Sequence, residues 1–375
     1  MTPTRLAVLS TLAIACGAFA QTSSLTLAGR VDLGPQYIDD GGNTTRRLDS
    51  GTYTASRLIV RGSEELGGGL SALFYLESRF NADLGATQSA DKFWNAGSYV
   101  GLSSTHFGTI TLGRQYVPIF WPFLFGDDTG PLRLHGYSAV QSVQRSNLAR
   151  VTAAVSPIKA AGTLDSISDG VYTLNITSAF EDNLVIYKLP SFSGLTITGA
   201  VSAPEGYPSG GGKVYAGNAE YRNGALYLGY GVNRKEGRVP PGSNTAQKVT
   251  EQVITGTYAV VQDVNLWGNF HPWNFDSNGS KLSGRDFMLG VSFRMPSGMV
   301  WANYAAKSIG DGCTDCNSRG FGIGYHHFLS KRSELWVATA RVSNDANSAN
   351  SLNGFAPDAP GKSVTGLAAG ITLTF

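Results

Sequence analysis

The sequence has few of the residues that build disulfide frameworks or metal sites. It contains 3 cysteines and 5 histidines in 375 residues. Cys313 and Cys316 form a single C-x-x-C between Gly and Asp residues, where an exported chain would more readily form a loop disulfide than a zinc site, since further ligands are not nearby. His326 and His327 are adjacent and would point to opposite faces of a strand. We predict neither a metal site nor a cofactor, and leave open whether the two cysteines are bridged.

An excess of charge and long hydrophobic runs are also missing. The chain has 29 basic and 27 acidic residues, without the basic stripe that a nucleic-acid-binding protein would show. Beyond the N-terminus, no apolar stretch approaches the roughly 18 residues of a transmembrane helix. Glycine is abundant, at 47 residues, but has no collagen-like period. These features argue against nucleic acid as a partner and against a helical membrane protein.

The first twenty residues have the pattern of a secretory signal. Arg5 precedes the apolar run 6–16, and the small-x-small triplet A-F-A at 18–20 suits cleavage before Gln21. A lipidated Cys16 is the weaker alternative, because the residue three positions earlier is Ala where a lipoprotein signal usually has Leu. A buried N-terminal helix is weaker still, since the run is short and a strand pattern follows at once. We therefore expect a cleaved signal at residues 1–20 and a single β-domain at 21–375.

Alternation of apolar and polar residues dominates the rest of the chain. In residues 25–37 one parity carries Leu, Val and Tyr while the other carries Thr, Arg, Asp and Gln. A period of two places such sets on opposite faces of a β-strand. The same alternation recurs in segments 57–61, 70–80, 195–201, 287–293, 321–325 and 371–375.

The connections between these segments are alternately short and long. Short ones such as 222–224 and 296–298 alternate with long, polar, Gly-rich ones such as 39–52, 234–248 and 344–362. This is typical of a transmembrane antiparallel β-barrel with tight turns at one rim, and the hairpins add up to about 16 strands. Several strands reach about ten residues, which suits a bilayer better than the 5 to 6 residues usual in a soluble β-sandwich. Aromatic residues near strand ends, including Tyr37, Tyr116 and Tyr304, suit interfacial girdles.

Three stretches resemble one known family. SRLIVRGSEELGGGLSALFYLES, SYVGLSSTHFGTITLGRQY and HHFLSKRSELWVATARV are similar to strands of the general porins of Gram-negative bacteria, of the β-proteobacterial and neisserial type. The resemblance implies a homotrimer of all-β, sixteen-stranded barrels in the outer membrane. It also implies an inward-folded third loop that narrows each pore. Phe375 would close the last strand against the first and be read by the outer-membrane insertion machinery.

The chain departs from the family pattern in places that concern the pore. Thr372 and Leu373 stand where the family often has Arg and His, and Arg79 adds a charge to the family's E-S-G-F. The third-loop region, from Val117 to about Asp182, is unusually long. Pore size and substrate therefore do not follow from the resemblance.

Four arginines form the main candidate pore lining. By parity they point away from the lipid, and exposure to lipid near the midplane would cost a few kcal/mol. Neighbouring cations would make one wall of the pore positive, and a narrow constriction selects the ions that pass by the charge of its lining. The plainer alternative is that some of them pair with Glu77 or Asp32 inside the wall. The four are Arg30, Arg57, Arg61 and Arg79.

Arg114 and two aspartates complete the candidate constriction. Arg114 shares the parity of the apolar residues before it, so a bulge at Gly113 is needed to turn it inward. Asp127 and Asp128 of the third loop would supply an acidic wall opposite the arginines, and walls of unlike sign create a transverse field. An Asp-Asp-Thr-Gly turn without a pore role explains the same two residues equally well.

The expected function is passive diffusion of small hydrophilic solutes and ions, with weak anion preference because inward arginines outnumber inward acids on the first strands. Partners would be two further copies of the chain and outer-membrane lipid. An enzyme is not expected, because there is no G-x-S-x-G elbow and nothing in the sequence promotes a triad. The alternatives are a substrate-selective channel for small organic anions and a non-conducting adhesin or anchor barrel.

Overall fold

The computed structural model describes residues 23–127, 179–202, 213–236, 248–277, 280–310 and 313–375. Within these ranges, no helix is both long and apolar enough to span a bilayer. They contain one short helix, α1 (Phe120–Phe125), and β-strands that pair antiparallel throughout. The strands are β1 (Ser23–Asp39), β2 (Thr44–Ser50), β3 (Arg57–Gly67), β4 (Leu70–Asn81), β5 (Ala86–Thr87), β6 (Gly97–Ser104), β7 (Gly108–Tyr116), β8 (Phe180–Lys188), β9 (Leu195–Ser202), β10 (Lys213–Asn223), β11 (Leu226–Glu236), β12 (Lys248–Val261), β13 (Val264–Ser277), β14 (Ser280–Met295), β15 (Gly298–Ile309), β16 (Ser318–Phe328), β17 (Ser333–Asn344) and β18 (Val364–Thr374).

The strands close into a barrel. Each pairs with its neighbours in the chain, and β1 pairs with β18 to close the ring. β3 pairs with residues 23–30 of β1 and β2 pairs with residues 33–39 of β1, so β2 and β3 together make one wall strand. The two-residue β5 pairs only with the end of β4. Counted this way, the wall has sixteen strands. This confirms the predicted barrel and the predicted number of strands.

The segment predicted as a long polar loop at 39–52 is largely strand, so that prediction is wrong. β2 continues the pairing of β1, and the chain then leaves the wall. Ser50 pairs with Leu33 and Arg57 pairs with Arg30, so residues 51–56 stand opposite two residues of β1. We call residues 51–56 the inner bulge. Tyr53 in it is fully buried, with its ring 4.5 Å from that of His326.

The two faces of the wall differ as the alternation predicts. On one face, large apolar side chains are exposed all round the barrel. Because a closed barrel has one face toward lipid and one toward its lumen, this apolar face is the outer one. Representative outward side chains are Leu27, Leu102, Leu112, Ile254, Leu289, Phe321 and Leu373.

The two rims also differ. At one rim the strands are joined by short turns of two to six residues, such as 224–225 and 296–297. At the other rim the connections are mostly long, including 345–363 between β17 and β18. In outer-membrane barrels the short turns face the periplasm and the long connections face outward from the cell.

Helix α1 lies against the lumen face of β10, β11 and β12. Ile119, just before the helix, packs on Gly231 of β11 and beside Val253 of β12. Thr257 of β12 donates a hydrogen bond of 2.8 Å to the carbonyl oxygen of Phe125. The described start of the third loop therefore crosses from the end of β7 to the wall formed by β10–β12.

Four tryptophans on the lumen face each lie over a glycine of the next strand. In every pair the two residues are directly opposite in the ladder. A Cβ placed on the glycine would lie between 2.0 and 2.5 Å from the indole, so each ring occupies the space that a side chain would fill. Covering a strand glycine with a cross-strand aromatic ring stabilises the pair. The pairs are Trp267 with Gly290, Trp273 with Gly284, Trp301 with Gly324 and Trp336 with Gly370.

Candidate pore site

Three of the predicted arginines stand in one row across adjacent strands. Arg30 of β1 pairs directly with Arg57 of β3, which pairs directly with Arg79 of β4. We call these three residues the arginine row. Their neighbours on the opposite parity, such as Leu27, face outward, so the row lies on the lumen side. Side chains directly opposite in a ladder approach to about 5 Å at Cβ, where like charges repel.

One carboxylate offsets part of this repulsion. Oε1 of Glu77 lies 3.4 Å from Nη1 of Arg57 and 3.1 Å from Nε of Arg79. The alternative interpretation, in which some of the arginines pair with a carboxylate inside the wall, is therefore correct for Glu77. It does not hold for Asp32, whose carboxylate accepts hydrogen bonds from the side chains of Thr372 at 2.6 Å and Trp336 at 2.9 Å. Two arginines of the row therefore share a single carboxylate.

The inner bulge covers the row with neutral groups. Oγ1 of Thr54 accepts a hydrogen bond from Nη1 of Arg30 at 3.2 Å and one from Nη2 of Arg57 at 3.1 Å. Nε of Arg57 donates to the carbonyl oxygen of Ala55 at 3.0 Å. Arg57 is 6% exposed as a result. The sequence gives no sign of this role, because a run of small polar residues reads as an ordinary loop.

Arg114 joins the row through an aromatic ring. The register between β7 and β8 shifts just after Gly113, which has a φ of +134°. Nη1 of Arg114 lies 2.7 Å from Oδ1 of Asp182. Its guanidinium lies 5.6 Å from the ring centre of Phe180, and that of Arg79 lies 4.7 Å from the same ring. Phe180 and Asp182, which sequence reasoning missed, thus place Arg114 next to the row.

Tyr116 belongs to this site rather than to an interfacial girdle, so its predicted position is wrong. Its hydroxyl oxygen accepts a hydrogen bond of 2.6 Å from Nη2 of Arg79. Its ring stacks on that of Phe120 in α1, with centres 4.3 Å apart. Tyr116 is two residues beyond Arg114, so the register shift after Gly113 places both side chains on the lumen side.

Arg61 stands apart from the row. It is exposed, four residues beyond Arg57 toward the rim with short turns. Its direct partner in β4 is Tyr75, which pairs in turn with Tyr99 of β6. The two tyrosine rings are stacked with centres 5.3 Å apart. In the part of the chain that the structure describes, Arg61 has no carboxylate partner, and this cation lies beside an aromatic pair on the lumen face.

Asp127 lies across the barrel from the arginine row. It follows α1 and is 6% exposed, and its amide donates to the carbonyl oxygen of Leu124 at 3.3 Å. The helix rests on β11 and β12, and β12 is eight wall strands from β3, half-way round the sixteen. Asp128 lies outside the described residues.

A second charged cluster lies in the wall under α1. Nε2 of His271 is 3.1 Å from Oε2 of Glu251, and its Nδ1 is 3.0 Å from Oδ2 of Asp286. Nζ of Lys307 lies 3.9 Å from the other oxygen of Asp286, and all four side chains are at most 2% exposed. The ring of Phe123 in α1 meets His271 edge to face. Sequence reasoning missed this cluster, since its members come from four different strands.

The remaining predicted positions are the two cysteines and the last residue of the sequence. Cys313 and Cys316 are joined as a disulfide in the connection between β15 and β16. Phe375 follows β18 and pairs with Gly29 of β1. The residue before it, Thr374, accepts a hydrogen bond of 3.1 Å from Nε of Arg30, so the end of the chain lies next to the row.

The sequence is similar to those of known outer-membrane porins. The family model for Gram-negative porins matches residues 6–347. Outer membrane porin protein 32 of Delftia acidovorans is 28% identical over 99% of both chains. An outer membrane porin of Bordetella pertussis is 28% identical over 194 residues, which cover 48% of this chain and 42% of that protein.

Solved structures show the same architecture. The anion-selective porin from Comamonas acidovorans superposes with a TM-score of 0.78 at 26% identity, covering 94% of this chain and 100% of that one. OmpT of Vibrio cholerae gives a TM-score of 0.62 at 13% identity, covering 94% and 98%, which supports the fold alone.

Proposed function

Because this chain belongs to the family of Gram-negative porins and is a β-barrel of the outer membrane, we propose that it lets small hydrophilic solutes and ions diffuse passively and favours anions. The family is not enzymatic, in line with the prediction. The observation that carries the proposal is the arginine row, three cations in direct register on the lumen face. A water-filled barrel of this size selects at charged constrictions.

The charge balance favours anions. The row and Arg114 contribute four cations, and three of them pair with a carboxylate: Arg57 and Arg79 with Glu77, and Arg114 with Asp182. Lys92 also pairs with Asp182, which offsets that carboxylate further. A local excess of positive charge raises the concentration of anions in a narrow aqueous passage. The relative of known structure, described as anion-selective, supports the same sign.

The remaining parts of the proposal concern assembly and the third loop. We infer that α1 begins a loop that narrows the pore, with Asp127 and Asp128 opposite the arginine row. We also infer a homotrimer, and insertion guided by Phe375. Residues 1–20 would be removed on export, so N-terminal sequencing of the purified protein should begin at Gln21; a blocked, lipidated Cys16 would contradict this.

Conductance in a planar bilayer tests the proposal. The variant replaces Arg57, Arg79 and Glu77 together by Gln, because Glu77 would otherwise be left without its arginine partners. Its reversal potential under a salt gradient should shift toward cation preference. Arg294→Gln is the matched control, because this exposed arginine lies at the other end of β14 from the long connections. Openings in steps of three would support the trimer. A folded barrel without conductance would favour the adhesin or anchor alternative.

The pair of Tyr75 and Tyr99 beside Arg61 favours a second candidate, a channel selective for small organic anions. A cation next to stacked rings suits a carboxylate that carries a planar apolar group. Benzoate should then block chloride current at lower concentration than acetate does, and Arg61→Gln should remove the difference. Equal block by the two anions would leave general diffusion as the function.

A further inference from the structure

One buried aromatic side chain attaches the inner bulge to the barrel wall. Tyr53, near the middle of the bulge, is fully buried. Its ring centre lies 4.5 Å from that of His326 on β16 and 5.8 Å from that of Trp336 on β17. In the order of the wall, β1 and β18 separate these two strands from β3, where the bulge ends. The ring therefore reaches past two strands on the lumen side to find its packing partners.

A buried carboxylate holds the same segment at several points. Oδ1 of Asp32 accepts a hydrogen bond of 3.1 Å from the amide of Tyr53, and Oδ2 accepts one of 2.9 Å from the indole of Trp336. The main chain of Asp32 takes part as well. Its amide donates to Oγ of Ser56 at 3.0 Å, and its carbonyl oxygen accepts from the amide of Gly51 at 3.1 Å. Asp32 thus binds both ends and the centre of the bulge, together with the indole against which Tyr53 packs.

The position of the bulge determines how closely an ion can approach the arginine row. Thr54, next to Tyr53, accepts hydrogen bonds from Arg30 and Arg57, and Arg57 is only 6% exposed. Ions in the passage are therefore kept at a distance from this guanidinium. Because the attraction between two charges falls with their separation, the bulge weakens the pull of the row on anions.

We propose that Tyr53 and Asp32 are positioning residues for ion selectivity: they hold the inner bulge over the arginine row and so keep permeating anions away from Arg57. The inference rests on the proposed function, since it requires that the row faces the conducting path. Both side chains are fully buried and do not touch the permeating ions. They act through Thr54 and Ala55, whose oxygen atoms accept hydrogen bonds from the guanidinium groups.

Reaction of an introduced thiol with a charged methanethiosulfonate reagent measures the attachment of the bulge. Thr54→Cys places the thiol at a fully buried position, so it reacts only when the bulge lifts. Adding Tyr53→Ala should raise the labelling rate about tenfold or more, because loss of a buried aromatic side chain favours local opening. Tyr53→Leu should give a smaller increase, and Tyr53→Phe, which keeps the ring, should give none. Mass spectrometry of the peptide that carries position 54 separates this thiol from the native cysteines.

Asp32→Asn tests the second attachment in the same assay. The amide has the size of the carboxylate, but its nitrogen would face the N–H groups of Tyr53 and Trp336, which both donate to Asp32. Labelling at position 54 should therefore accelerate in this variant too.

The reversal potential in a salt gradient tests the effect on selectivity, with threonine retained at position 54. Tyr53→Ala leaves the number of charges unchanged, so a shift reports the position of the bulge. We expect the preference for chloride over potassium to rise about twofold in Tyr53→Ala, because anions then approach Arg57 more closely. Tyr53→Phe should behave as the wild type does.

Two results would overturn the proposal. Equal labelling rates with Tyr53→Ala and Tyr53→Phe would show that the ring does not hold the bulge. Faster labelling without a shift in the anion direction would show that the bulge does not limit anion preference. A wild-type barrel without anion preference would instead contradict the proposed function, and the labelling rates would still decide whether Tyr53 and Asp32 hold the bulge.

Discussion

Phe375 and Gly29 exchange two backbone hydrogen bonds, each of 3.0 Å, across the seam where the barrel closes. The ring of Phe375 lies over the glycine, since a Cβ on Gly29 would stand 2.3 Å from Cζ of the ring. Both residues face outward, and Phe375 is 50% exposed. The chain ends on an aromatic residue that is part of a strand pair, and the pairing removes the open edges of the sheet.

Substitution at this seam should weaken closure of the barrel. Gly29→Ala forces the ring of Phe375 off its position, and overpacking of this kind costs about 1 to 3 kcal/mol. The temperature at which the folded band disappears in unheated electrophoresis should fall. Leu373→Ala, an outward position on the same strand, is the control and should have a smaller effect.

A role of Phe375 in recognition by the insertion machinery can be separated from its packing. Phe375→Ala should refold from urea into detergent in nearly wild-type yield if recognition is the main role, while the amount inserted in cells falls severalfold. Equal losses in cells and in detergent would mean that the residue acts through packing alone.

Glu77→Gln should increase anion preference. The substitution removes the carboxylate that Arg57 and Arg79 share and leaves the arginine row with its full charge. The reversal potential in a salt gradient should move further in the anion direction, the opposite of the change expected on removing the arginines. A shift toward cations would show that the row does not face the conducting path.

Gly290→Ala should destabilise the barrel through the indole that covers it. The new Cβ would lie 2.3 Å from the ring of Trp267, so the ring must leave its place against the strand. We expect a loss of about 1 to 3 kcal/mol in unfolding free energy, measured by urea titration. Gly199→Ala on β9 is the matched control, because no atom lies within 4 Å of the added carbon. Equal effects of the two substitutions would contradict the role of the indole.

His271→Leu should be strongly destabilising. It removes the group between two buried carboxylates and leaves Lys307 as the cation of the cluster, and breaking a buried pair costs about 3 to 5 kcal/mol. The urea midpoint should fall, and the double variant with Glu251→Gln, which keeps Asp286 next to Lys307, should recover part of the loss. His106→Leu, in an exposed short turn, should leave the midpoint unchanged. Without recovery in the double variant, the role of His271 would be packing against Phe123 rather than charge.

Local patterns were enough to predict the barrel. Period-two alternation assigns each strand its two faces without reference to any other strand, because successive side chains point to opposite sides. The parity of Arg30, Arg57 and Arg79 followed from the same rule. Alternating connection lengths distinguished the two rims in the same local way.

Tertiary structure alone decided how these faces meet. The register that aligns Arg30, Arg57 and Arg79 depends on pairings between separate strands, and the inner bulge that covers them depends on where β2 stops pairing with β1. Tyr116 faces the lumen instead of the interface because the register of β7 shifts after Gly113. A strand pattern specifies which side a residue faces, whereas its neighbours on that side are set by register, bulges and closure, which are properties of the whole sheet.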